Sequence, residues 1–115
     1  IDFLKNPTKE KESIFQENEI ATCGVIFTEL LRGSKNPKES EKLKTALECF
    51  EYLTFEKQDW LEVACLFAKL KKSGLTIPFQ DGIIAYLAIK NDCQLWTLDN
   101  HFKLIKTVVP VLKLF

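Results

Sequence analysis

Apolar residues recur along this chain with a helical period in four long stretches. In Gly24–Arg32, Val25, Leu30 and Leu31 share one side, and Gly33 follows as a stop. Asn36-Pro37 opens the next stretch, Lys38 to Phe50, where Leu43, Ala46, Leu47 and Phe50 recur at helical spacing. Glu56–Lys72 carries the clearest pattern. Trp60, Ala64, Phe67 and Ala68 form one stripe, and Lys69, Lys71 and Lys72 load the C-terminal end, where the dipole favours cations. Ser73-Gly74 ends it. Pro78 holds Ile77 extended, and Phe79–Lys90 then reads as a helix with Ile83, Ile84, Leu87 and Ala88 turned inward. Two shorter helices are predicted at Thr8–Asn18, capped by Thr8 with Ile14 and Phe15 as its apolar edge, and at Asn100–Lys106. Between the helices lie short apolar runs that read as strands: Ile20–Cys23, Tyr52–Phe55, Gln94–Leu98 and Val108–Phe115. Pro110 splits the last, which marks an edge strand. Trp60 and Trp96 are assigned to the core.

Strands that alternate with helices predict an α/β fold: a mostly parallel central sheet with helices on both faces, a three-layer sandwich. Its ligand site is expected at the carboxyl ends of the strands. The 115 residues contain no repeat and no low-complexity tract, so one domain, 1–115, is expected. An apolar fraction of 46% argues against disorder, and no apolar run approaches the ~18 residues that span a bilayer. Sixteen basic residues balance sixteen acidic ones, so nucleic-acid contact would rest on local clusters such as Lys69, Lys71, Lys72, Lys103 and Lys106. Arg32 is the only arginine. Cys23, Cys49, Cys65 and Cys93 form no CxxC pair and read as small buried hydrophobes of a reducing cytoplasm. The chain has no Met and begins at Ile1, and Ile1–Asn6, with Asp2 and Lys5, lacks the apolar core of a signal peptide.

Glu10, Glu12, Glu39, Glu41, Glu48 and Glu56 fall on polar helix faces. Three others sit differently. Glu29 interrupts the apolar helix after the first short strand. Asp81 opens the helix after Pro78. Asp99 directly follows Gln94–Leu98. Capping alone accounts for Asp81 or Asp99 taken singly. In a parallel α/β sheet all three converge on one edge, where their mutual repulsion calls for a cation. Hard oxygen ligands suit Mg²⁺ or Mn²⁺, which lower the pKa of bound water and steady a phosphoryl transition state.

Three segments carry a resemblance. Phe27-Thr28-Glu29-Leu30-Leu31-Arg32-Gly33, Ile77-Pro78-Phe79-Gln80-Asp81-Gly82-Ile83-Ile84-Ala85 and Leu95-Trp96-Thr97-Leu98-Asp99-Asn100-His101-Phe102 follow in that order, their acids 52 and 18 residues apart. The ordered set resembles the PIN domain family and, within it, the VapC-type toxins of bacterial toxin–antitoxin pairs. The resemblance covers essentially the whole chain. It implies a metal-dependent ribonuclease using Mg²⁺ or Mn²⁺, silenced by a cognate antitoxin and commonly homodimeric. It also implies that Glu29, Asp81 and Asp99 are the catalytic and metal-binding acids and that Thr97 is an auxiliary hydroxyl. Arg32 becomes a candidate contact for RNA or antitoxin. The family's first acidic motif, at the end of its first strand, has no counterpart here, and Asp2 does not match it. Either those residues precede Ile1, or the chain is an inactive, truncated module that binds an antitoxin or another protein. A phosphoacceptor receiver shares the α/β fold and an acidic pocket, but Asn100-His101 after Asp99 does not fit one. His101, the only histidine, reads as a residue that caps and packs the last helix together with Phe102; a general-base role is the alternative.

Overall fold

The computed structural model describes Glu10 and residues 12–14, 18–97 and 99–115. The predicted cap Thr8, the apolar edge at Phe15, Asp2 and the strand residue Leu98 lie outside these. Glu10 and residues 12–14 are helical, as the pattern predicts. The chain divides into two compact units, Ile1–Thr54 and Phe55–Phe115.

In the first unit, strand β1 (Ala21–Cys23) runs directly into helix α1 (Gly24–Arg32), followed by α2 (Pro37–Glu48) and β2 (Glu51–Leu53). β1 and β2 pair in parallel, with Ala21 opposite Glu51 and Cys23 opposite Leu53. A parallel pair needs a crossover, and α1 and α2 provide it. The Asn36 side chain accepts a hydrogen bond from the Glu39 N–H at 2.8 Å, and Pro37 fills the first helical position, where a missing N–H costs nothing. The helix therefore begins one residue before the predicted start. Leu30 and Leu47 are the fully buried anchors. Gly33 caps α1 in the right-handed region, so its conformational freedom is not used. The Thr22 hydroxyl is buried with no hydrogen-bond partner among the described residues.

The second unit contains α3 (Lys57–Lys72), α4 (Phe79–Lys90), β3 (Gln94–Leu95), α5 (His101–Val108) and β4 (Lys113–Leu114). Helix α3 starts at a capping box in which Asp59 Oδ2 accepts the Glu56 N–H at 2.6 Å. It ends at Gly74, whose φ of +83° only glycine adopts freely, and the Leu75 N–H reaches back to the Leu70 carbonyl at 2.9 Å. The predicted stripe on this helix is corrected. Trp60 is 49% exposed, Ala64 and Ala68 are exposed, and Phe67 is half-buried. The buried face runs through Asp59, Val63 and Leu70, with Leu66 packed beside it. A polar residue leads that face because α4 supplies its partners: Asp59 Oδ1 accepts from Tyr86 at 2.7 Å and from Lys90 at 2.5 Å.

Helix α4 is buried on most sides, through Gly82, Ile83 and Ala85–Ala88. It centres a core with Leu70, Ile77, Phe102, Ile105 and Leu112. β3 pairs in parallel with β4, Gln94 opposite Lys113. β3 is shorter than the predicted Gln94–Leu98, because β4 offers only two residues to pair with, and Gln94 is exposed. Pro110 lies ahead of β4, not within it. The Lys106 ammonium bonds to the Pro110 carbonyl at 3.3 Å and to the Leu112 carbonyl, so it fastens this turn. Each strand pair is parallel, as expected of α/β architecture. Among the described residues the strands form two two-stranded sheets. The cysteines are corrected as well: Cys23 alone of the four is buried, Cys93 is partly so, and Cys49 and Cys65 are exposed. Cys65 faces out because two residues of helix, about 200°, carry it to the side of α3 opposite Val63. No helix among the described residues is long and apolar enough to cross a membrane.

Candidate metal centre

Asp81 occupies the first turn of α4, its N–H bonded to the Pro78 carbonyl at 3.1 Å. Pro78 starts the helix there, and the positive end of the helix dipole favours a carboxylate at that point. The Asp81 side chain is 13% exposed. Asp99 lies just ahead of α5. Its N–H donates to Thr97 Oγ1 at 3.0 Å, and its Oδ1 accepts the His101 N–H at 2.9 Å. Thr97 thus holds the backbone that carries Asp99.

Both carboxylates meet at His101. Its Nδ1 is 2.8 Å from Asp81 Oδ2 and 3.1 Å from Asp99 Oδ1. One donor atom from each of the three residues lies within 4.8 Å of the others. The cap-and-pack reading of His101-Phe102 is half corrected. Phe102 is buried at 4% exposure, whereas the His101 ring faces the two acids.

The acids of this cluster differ from Asp59. Asp59 gathers three donors (Lys90, the Glu56 N–H and Tyr86) that hold its carboxyl down to about 2. Burial, with Glu62 and Asp59 beside it, pushes the Tyr86 hydroxyl well above its usual range. That charge is met within the chain, so Asp59 is a structural ion. The sequence reading did not single it out; the spacing Glu56-x-x-Asp59 was the available signal. Asp81 and Asp99 instead share a single imidazole between two negative charges. The donor set fits a divalent cation. Adjacent ligands of an octahedral ion with bonds of about 2.1 Å lie about 3 Å apart, the range of the separations seen from His101 Nδ1.

Glu29 belongs to the first unit, on α1, with its side chain 40% exposed. Arg32 Nη2 lies 3.3 Å from Glu29 Oε2. This is a surface pair of adjacent turns, of small energetic weight.

A PIN domain family model matches residues 2–107, and the chain belongs to the PIN domain family. Ribonuclease VapC1 of Methanocaldococcus jannaschii is 29% identical over 83 residues, which cover 71% of this chain and 61% of that relative. The chain thus spans less than two thirds of that relative's length. Among solved structures, VapBC-1 from nontypeable Haemophilus influenzae superposes with a TM-score of 0.81 at 22% identity, over 99% of this chain and 89% of that one. VapBC2 from Rickettsia felis, bound to a DNA fragment from its promoter, gives a TM-score of 0.74 at 29% identity, covering 92% of this chain and 80% of that one. The PIN-like α/β fold expected from the three acidic motifs is the fold observed.

Proposed function

We propose that this chain is a metal-dependent ribonuclease, the toxin of a toxin–antitoxin pair, which hydrolyses RNA phosphodiester bonds with Mg²⁺ or Mn²⁺. The observation that carries the reading is the approach of Asp81 and Asp99 to one point with less compensating positive charge than two carboxylates require. The names of its relatives, a ribonuclease and two VapBC complexes, agree with it.

In this reading Asp81 and Asp99 hold the ion. Thr97 fixes the Asp99 backbone through its hydroxyl, and the start of α4 fixes Asp81. Glu29 supplies the third carboxylate, which orients the attacking water or binds a second ion. When bound, the ion supplies an activated water and stabilises charge on the phosphate. Arg32, largely exposed, contacts RNA phosphate or the antitoxin by exchanging its weak pairing with Glu29. The partners are an RNA substrate, a cognate antitoxin and a second copy of the chain, in the cytoplasm. The chain works as one PIN-like domain.

Cleavage of RNA by the purified chain in Mn²⁺ or Mg²⁺ tests the reading. Asp81→Asn is expected to lower the rate about 100-fold or more, since metal-borne charge stabilisation is worth several kcal/mol. No cleavage with either ion, together with tight binding of a co-expressed antitoxin, would replace this reading with that of a non-catalytic binding module.

A further inference from the structure

We propose that His101 is a third ligand of the Asp81–Asp99 site and that its Nδ1 makes the site prefer first-row transition ions to Mg²⁺. The proposal rests on the metal reading above and goes beyond it by naming a nitrogen ligand and its consequence for ion choice.

Neither capping nor packing of α5 accounts for the position of the ring. Capping of α5 does not use the ring, since the Asp99 carboxylate accepts the His101 backbone N–H at 2.9 Å. Packing of α5 is done by the buried Phe102 and Ile105. The imidazole is left 43% exposed, with Nδ1 directed between carboxylates from two different helix starts. With a proton on Nδ1 the ring donates to the two acids. A neutral imidazole with its proton on Nε2 presents an Nδ1 lone pair to the same space, alongside one oxygen from each acid. The donor set then becomes two carboxylates and one imidazole.

That set discriminates between ions. Mg²⁺ is hard, binds through oxygen and keeps several waters. First-row divalent ions accept imidazole with a strength that rises from Mn²⁺ through Co²⁺. A nitrogen ligand therefore adds affinity for Mn²⁺ or Co²⁺ and little for Mg²⁺.

The test uses the metal-stripped full chain with Mn²⁺ as the probe. Electron spin-echo spectroscopy of the Mn²⁺ complex reads nitrogen coupling on the unaltered protein. Titration of the free Mn²⁺ signal, with Mg²⁺ in competition, reads the affinity ratio. Directly coordinated ¹⁴N coupling is expected in the wild type, with Mn²⁺ bound at least ~10-fold tighter than Mg²⁺. His101→Ala is expected to abolish the coupling and to cut that ratio at least about threefold. Asp81→Asn is expected to lose both ions. Absence of nitrogen coupling in the wild type, or an unchanged ratio in His101→Ala, overturns the ligand while leaving the metal site standing. A wild type that binds neither ion, or an Asp81→Asn variant that binds both as well as wild type, overturns the metal reading itself and the ligand with it.

Discussion

Gly82, next to Asp81 in α4, is a position where a single methyl group can be followed through the packing. A Cβ built there would lie 2.1 Å from Phe67 Cζ and 2.6 Å from Cε1. Carbon atoms in contact sit about 3.5–4.0 Å apart, so the Phe67 ring must retreat by well over an ångström. It is not free to do so alone. Phe67 stacks on Phe79 at 5.7 Å, and Phe79 stacks on Trp60 at 6.4 Å. Overpacking of this kind costs about 1–3 kcal/mol, against about 1 kcal/mol gained when Ala replaces Gly inside a helix. Gly82→Ala alone is therefore expected to be neutral to destabilising by about 2 kcal/mol. With Phe67→Ala already in place the obstruction is gone, and the same change is expected to stabilise by about 1 kcal/mol, roughly 4 °C in Tm. Urea unfolding of the four proteins in the cycle gives the coupling, expected at about 1–3 kcal/mol. If Gly82→Ala stabilises equally with and without Phe67, the steric reading of this glycine is wrong.

The buried Asp59 makes a prediction for acid. Its carboxyl is held near 2, below the ordinary 3.8, first by the Lys90 hydrogen bond, so the stability it contributes is complete above about pH 4 and is lost as pH falls through 2. Urea midpoints between pH 5 and pH 2 are expected to fall less steeply in Asp59→Asn than in wild type, and parallel curves would refute this. At the metal centre, Thr97→Val removes the acceptor of the Asp99 N–H and is expected to weaken Mn²⁺ binding about 10-fold, whereas Thr97→Ser keeps most of the affinity. Equal losses in the two variants would assign the effect to packing.

The helices were legible because their boundaries are chemical. Asn36-Pro37 starts α2, Gly74 stops α3 and Pro78 sets the start of α4, each a local property of a few residues. The buried face of α3 was not legible. Asp59 reads as solvated until Tyr86 and Lys90, far along the chain, are known to meet it, and its burial turns Trp60 outward. Strand β3 was overread for a related reason. An apolar run such as Gln94–Leu98 shows that a strand can form, while the length of the ladder is decided by its partner. At the site, Asp81 and Asp99 stood out because each comes soon after an extended segment, Asp81 in the first turn of a helix and Asp99 just ahead of one. The role of the His101 ring was hidden, since His-Phe at a helix start looks like cap and packing until Asp81 is brought against it.

The placement of the two tryptophans gives the centre a pair of built-in optical reporters. Trp60 stacks on Phe79, which is two residues ahead of Asp81, and Trp96, itself three residues ahead of Asp99, leans on Phe115. One indole thus touches the helix that carries Asp81 and the other precedes Asp99, the first half-exposed and the second partly shielded. Replacing either with Phe leaves a single emitter on one side. Ordering of the α4 start and of the approach to α5 can then be timed separately as an ion or a partner arrives, without attaching a dye.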